Sequence, residues 1–341
     1  MKIRNIDIQK SMEDFNVQGL SVSVIEDRQV ISTQSFGILE KDTEKGVTNQ
    51  TIFSACSISK FVTAMLVMKL TEEGIIDLDE DVNKSLFSWK VPDNQFTNRV
   101  TLRHLLSHQA GIIDPEDSFG EWKVKDGVPS MMEILGGTTP YCNLPIEVKY
   151  EPGSEFHYSD AGFCIIQQVI EDVMNTSFQQ VMFQHLFKPL KMDNSRVDTK
   201  IPEQKLFSSG HNKKGQVVKP KYPIYPYPAA SGVWTTSSDL SQVVLELMNA
   251  LNGESKLGIS KTLAKDMITG QGGKSWTGLG LFLEGAGNEL EITSLGWGVG
   301  FQSMLFANPY IGTGAVIMTN TELGVHQMDG IIGDIYESLT S

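Results

Sequence analysis

Strand-like sequence stands at both ends of this chain and helical sequence fills its middle. Residues 20–25 (Leu-Ser-Val-Ser-Val-Ile) and 29–36 (Gln-Val-Ile-Ser-Thr-Gln-Ser-Phe) are β-rich and alternate, with Glu26-Asp27-Arg28 between them as a hairpin turn. Toward the C-terminus the pattern returns in residues 279–283, 291–294, 302–307 and 315–319, and residues 325–339 read as a closing helix. Between these ends lie helical segments: one from about Ser57 to Gly74, then 101–109, 161–174, a run from a Ser177 cap to Lys188, and 235–249. Residues 112–150, with several Pro and Gly, predict irregular chain. Joining the terminal strands in one sheet makes the middle an insertion. The expected class is therefore α+β, with a sheet lobe from 1–56 and 232–341, a mainly helical lobe from 57–231, and a cleft where they meet.

Composition narrows the partners. A chain of 341 residues with 40% hydrophobic content holds a sizeable core. Its net charge of −13 argues against nucleic acid and anionic membranes. No apolar run approaches the ~20 residues needed to cross a bilayer. The first residues, Met1 to Asp7, scatter their charges and hold no apolar segment. That argues against a secretory leader and for a cytoplasmic protein, unless a leader has been removed. The three cysteines, Cys56, Cys142 and Cys164, fit free thiols in a reducing compartment. No metal-ligand spacing and no Gly-rich phosphate loop stands out, so no cofactor is expected and the partner is a small molecule or peptide substrate.

The stretch with most chemistry is Phe53-Ser54-Ala55-Cys56-Ser57-Ile58-Ser59-Lys60. Ser57 and Lys60 are one helical turn apart, so hydroxyl and amine share a face. A serine hydroxyl needs a neighbouring base to act as a nucleophile, and a lysine can supply it. The plain alternative is a helix start, with Ser57 as cap and Lys60 in solvent. The apolar run Phe61, Ala64, Met65, Met68 that follows favours a buried helix with a rigid first turn.

With four more landmarks in order, the chain resembles the serine β-lactamase and penicillin-binding-protein superfamily. These are Leu105-Leu-Ser-His-Gln-Ala-Gly111, Pro152-Gly-Ser-Glu-Phe-His-Tyr-Ser159, Thr235-Thr-Ser-Ser-Asp239 and Gly296-Trp-Gly-Val-Gly-Phe301. The nearest branch holds class C β-lactamases, D,D-peptidases, D-aminopeptidases and β-lactamase-fold esterases. The resemblance implies a β-lactamase/transpeptidase-like fold, an antiparallel sheet covered by helices plus an all-helical lobe. It implies Ser57 as the acylated nucleophile and Lys60 as its partner. The family's Tyr-x-Asn falls on Tyr158-Ser159-Asp160. Tyr141-Cys142-Asn143 matches by letter but lies on the wrong side of the Pro-Gly turn. Tyr158 is implied as proton relay, since a nearby ammonium favours a phenolate. Asp160 reads equally as a helix cap and as a member of the site. The third motif falls on Ser294-Leu295-Gly296, and the backbone N–H groups of Ser57 and Trp297 are implied as the oxyanion hole. A plain strand and turn also accounts for these residues.

Two departures shape the expectation. Asp160 replaces an asparagine, and a carboxylate beside Lys60 raises the lysine pKa, so activity should rise toward alkaline pH. Ser294 replaces a cation that in many relatives meets a substrate carboxylate, and Trp297 offers an apolar wall instead. The loop Tyr222 to Pro228 is either a stiff connector or a pocket border, the latter through Tyr225. His108 reads as structural, and His157 should point away from Tyr158. The expected activity is a serine hydrolase acting through an acyl-enzyme on an ester or amide, with an esterase favoured. A D,D-peptidase, D-aminopeptidase or β-lactamase is the sibling reading. A catalytically weak binding protein is the rival from another class.

Overall fold

The computed structural model describes residues 6–121, 123, 127–197 and 206–341. In chain order the elements are α1 (Ile8–Asp14), β1 (Gly19–Glu26), β2 (Gln29–Gly37), β3 (Phe53–Ser54), α2 (Ser59–Glu72), α3 (Leu102–Leu106), α4 (Met131–Leu135), α5 (Asp160–Met174) and α6 (Phe178–Met182). They continue with α7 (Pro228–Ser231), β4 (Trp234–Thr235), α8 (Ser237–Asn252), α9 (Lys261–Met267), β5 (Phe282–Glu284), β6 (Glu291–Gly298), β7 (Phe301–Asn308), β8 (Thr313–Thr319) and α10 (Ile331–Thr340).

The terminal strands do share a sheet. Its order is β2-β1-β8-β7-β6-β5, antiparallel throughout, and β8 pairs with β1 from Leu20↔Thr319 to Ile25↔Gly314. The hairpin falls where the sequence places it. Asp27 and Arg28 both take positive φ, 49° and 57°, the two-residue turn whose twist suits the strands it joins.

The alternation in β1 does not mark a wet face. Leu20, Val22 and Val24 pack under α10 with Ile331, Ile332 and Ile335. Ser21 and Ser23 are buried on the other face, where each hydroxyl lies 2.8 Å from the Ser237 hydroxyl at the start of α8. Buried hydroxyls that bond one another avoid the cost of a buried unsatisfied group.

Helix α2 is apolar on all sides and is enclosed: every residue from Ser59 to Met68 is buried. That is the signature of a core helix. The short pair β3–β4, with Phe53↔Thr235 and Ser54↔Trp234, holds the chain just ahead of it. Four further elements lie where no helix was expected. Residues 112–150 contain α4, whose Ser130 and Glu133 form a reciprocal capping box. Helices α1, α7 and α9 are the other three. No helix among the described residues is long and apolar enough to cross a membrane. Cys56, Cys142 and Cys164 are buried and free.

Strand β6 passes very close to the Phe53–Ser57 segment. A Cβ added at Gly296 would lie 2.2 Å from Ser303 Oγ and 2.4 Å from the Ala55 carbonyl. Gly296→Ala should therefore cost about 1–3 kcal/mol through overpacking, read as a lower calorimetric midpoint. An unchanged midpoint would mean that strand and segment separate freely.

Candidate active site

Ser57 sits in a single 3-10 turn, Cys56–Ile58, that runs directly into α2. The helix was expected to begin near Ser57; the tighter turn comes first because Cys56 takes a left-handed φ of 49°. A non-glycine residue there is uncommon and is held by its surroundings. The Cys56 N–H donates to Ser54 Oγ at 3.4 Å, and Cys56 is fully buried.

Lys60 is 3% exposed. Its ammonium has three donors and three oxygen partners: Asp160 Oδ1 at 2.5 Å, the Ala230 carbonyl at 3.2 Å and Ser57 Oγ at 3.4 Å. Burial alone would push its pKa down, but the adjacent Asp160 charge, and then Tyr158, more than offset this. The pKa lies well above the ordinary lysine value. The Tyr158 ring centroid is 4.7 Å from Nζ. The Ala230 contact explains α7: Pro228 starts a one-turn helix whose carbonyls face α2, with Ala229 accepting the Thr63 hydroxyl at 2.9 Å.

Asp160 is not the cap of α5. Ser159 is, its Oγ accepting the Gly162 N–H at 3.0 Å. Asp160 is the first helical residue, which leaves its carboxylate free to meet Lys60. The look-alike Tyr141 is buried elsewhere, its hydroxyl accepting the Lys123 N–H at 3.1 Å.

Ser57, Lys60, Tyr158 and Ser294 line one hollow together with His108, Gly280, Leu281, Phe282 and Leu295. Its volume is about 20 Å³, room for about one water molecule. Hollows of about 610 and 710 Å³ lie elsewhere, but neither reaches Ser57, so chemistry and not size identifies the site. Among the described residues Lys60 is the one charged cation in the lining. His108 is neutral, since burial and the Lys60 charge push its pKa down to about 3.

Two sequence expectations need correcting. Tyr225 does not line the hollow: it is buried, and its hydroxyl accepts the Val299 N–H at 3.0 Å, which ties the loop to the turn after β6. The Trp297 ring is not a wall of the hollow either. Side chains alternate along a strand, so Gly296 faces Ala55 while Trp297 points the other way and is 46% exposed. Its backbone lies on the part of β6 beyond Thr293, where pairing with β5 has ended.

The apolar wall comes from Phe282, stacked near Trp276 at 6.3 Å, with Phe156 packed edge-on against Trp276 at 4.6 Å. Composition carries no signal for that cluster, because its members are far apart in sequence. Sequence alone reads His108 as structural; the fold also sets its ring against Tyr158, 4.4 Å between centroids.

Comparison with known proteins bears on the family and the fold. A sequence model of the family described as Beta-lactamase matches residues 7–332. The chain is 24% identical over 245 residues to Protein flp of Staphylococcus aureus (strain MW2), covering 71% of this chain and 48% of that protein. It is 27% identical over 193 residues to Penicillin-binding protein 4 of Amycolatopsis lactamdurans, covering 57% of this chain and 47% of that protein. The chain thus spans about half the length of these relatives. Among solved structures, the octameric penicillin-binding protein homologue from Pyrococcus abyssi superposes with a TM-score of 0.76 at 22% identity, over 96% of this chain and 74% of that one. D-alanine carboxypeptidase AmpC from Burkholderia cenocepacia gives 0.73 at 19% identity, over 97% of each chain. At these identities the structural likeness speaks for the fold.

Asp160→Asn keeps an oxygen near Nζ and removes the charge. The Lys60 pKa is expected to fall, read by NMR titration of ¹³C-labelled lysine. A midpoint equal to that of the unsubstituted protein would show that the carboxylate does not hold the charge.

Proposed function

This chain belongs to the Beta-lactamase family, and on that premise we propose that it is a serine hydrolase working through an acyl-enzyme. The observation that carries the reading is Lys60 Nζ within 3.4 Å of Ser57 Oγ, on a buried turn, with the Tyr158 ring 4.7 Å from the same nitrogen. Ser57 Oγ attacks the carbonyl carbon of the substrate. The ammonium, which donates to Ser57 Oγ, cannot accept a proton. The reacting form is therefore the one in which Lys60 has first lost its own proton to solvent, a fraction that rises with pH. Its amine then takes the Ser57 proton, and Tyr158 relays it to the leaving group as the tetrahedral intermediate collapses to the ester of Ser57. Water then attacks that ester and restores the serine. The backbone N–H groups of Ser57 and Trp297 are the proposed donors to the oxyanion, where two donors aimed at one developing charge are needed.

Substrate preference follows from charge. Ser294 stands where a cation would meet a carboxylate, and Lys60 is already paired with Asp160 at 2.5 Å. A substrate carboxylate therefore forgoes a charge-assisted hydrogen bond, worth about 1.5–3 kcal/mol. The hollow instead presents Phe282 and Leu281. Neutral esters or amides fit this lining better than penicillins or a D-Ala terminus, and an ester is the favoured substrate class.

Two experiments test the reading. After incubation with a fluorophosphonate, intact-mass spectrometry should find one adduct, located on Ser57 and absent in Ser57→Ala. If no acylating probe adds mass, the chain is a binding protein that keeps the fold. With substrates, kcat/KM for a short-chain p-nitrophenyl ester should exceed that for nitrocefin by roughly tenfold or more. Equal turnover of the two would remove the case for an esterase.

A further inference from the structure

We propose that His108 and Asp114 are positioning residues for this reaction: from one loop they lock the Tyr158–Asp160 turn, so that phenol and carboxylate meet Lys60 already in place. The proposal rests on the reading of Ser57, Lys60 and Tyr158 as the reacting set.

Helix α3 ends at Leu106, and His108 turns back with a left-handed φ of 58°. Histidine tolerates that conformation better than most residues. The turn carries its ring across to the start of α5. There it stacks on Tyr158, with centroids 4.4 Å apart and planes 29° apart, and it contacts Phe163 at 5.4 Å and Phe156 at 5.6 Å. Its Nδ1 accepts the Ser159 N–H at 3.1 Å, and its carbonyl accepts the His157 N–H at 2.8 Å. A backbone N–H only donates, so Nδ1 is unprotonated and the ring proton is on Nε2. The ring is 7% exposed. A neutral ring here adds no second positive charge beside Lys60.

Asp114, a few residues on, holds the same turn from its other side. Its Oδ1 accepts the Ser159 hydroxyl at 2.6 Å and the Ala161 N–H at 3.1 Å, and its Oδ2 accepts the Asp160 N–H at 2.7 Å. The N-terminus of α5 also favours a carboxylate there. Other carboxylates hold backbone in the same way, such as Glu246 on the N–H groups of Lys256 and Leu257. Those segments carry no proposed site residue. What Asp114 holds is the piece of chain between the phenol and the carboxylate that both face Lys60. Tyr158 itself is 45% exposed, so its ring gets little support from burial and depends on the His108 stack and the fixed backbone.

The test is a mutant cycle on the rate of fluorophosphonate labelling of Ser57, followed by intact mass. Asp114→Asn leaves one acceptor oxygen and turns an amide N–H₂ toward the Asp160 or Ala161 N–H. It should slow labelling by about 10- to 100-fold, the scale on which misplacement acts. Tyr158→Phe alone should also slow labelling. In a background carrying both Tyr158→Phe and Asp160→Asn, Asp114→Asn should add no more than about twofold, because a residue acting through others couples to them. Multiplying effects, or a folded Asp114→Asn protein that labels at the original rate, would overturn the proposal. If Asp114→Asn does not fold, His108→Asn, which keeps an acceptor for Ser159 and loses the stack, goes through the same cycle with the same two outcomes. Ser57→Ala separates the levels. Labelling that persists there defeats the underlying reading and this one with it. Labelling that vanishes there but is untouched by the positioning variants defeats this one alone.

Discussion

A buried lysine ammonium organises this molecule. Removing such a charge from water costs several kcal/mol, and the cost is offset only when every N–H finds a well-placed partner. Lys60 satisfies that demand with oxygens from three separate segments: Ser57 on the turn before α2, Asp160 at the start of α5, and the Ala230 carbonyl of α7. None of these segments can shift without leaving a charge or a carbonyl unpaired. The arrangement around Lys60 is therefore a consequence of charge neutralisation as much as of packing, and the fold itself fixes its members.

The sheet provides the other half of the frame. Strand β8 lies between β1 and β7, so the ends of the chain are bound to each other and the insertion between them has fixed starting and finishing points. The site side of the sheet is brought close by a small residue: Gly296 lets β6 reach the Ala55 carbonyl, which Ser303 Oγ also contacts at 3.3 Å. On the far side of Lys60, the loop after α3 reaches α5 through His108 and Asp114. Ser57, Lys60 and Tyr158 thus stand on three supports that each answer to a different physical need: core burial for α2, charge pairing for Asp160, and backbone hydrogen bonding for the Tyr158 turn.

The cleft differs in character from its charged floor. Phe282, Trp276 and Phe156 form an aromatic cluster at its edge, and Ser294 contributes a neutral hydroxyl. Among the described lining residues the one ammonium, Lys60, is already paired with Asp160, so the rest of the surface is neutral or apolar.

Local pattern was enough to mark the hairpin at Asp27-Arg28, the C-terminal strands, the core helix after Ser57 and the spacing of Ser57 and Lys60. Each depends on neighbours a few residues away, where periodicity and turn chemistry act. The capping box at Ser130–Glu133 was equally local and could have revealed α4. Other features were beyond any local signal. The burial of Ser21 and Ser23 depends on Ser237, the retreat of Tyr225 depends on Val299, and the side of β6 taken by Trp297 depends on the approach of Ala55. Whether Asp160 caps a helix or neutralises a lysine was undecidable from the chain alone, because both roles suit the same residue. The answer came from Ser159 taking the cap and Lys60 arriving from a hundred residues earlier. Sequence by itself determined which groups were available and which stretches were helix or strand. Tertiary structure decided which of them meet, since burial and hydrogen-bond satisfaction are settled between segments and not within them.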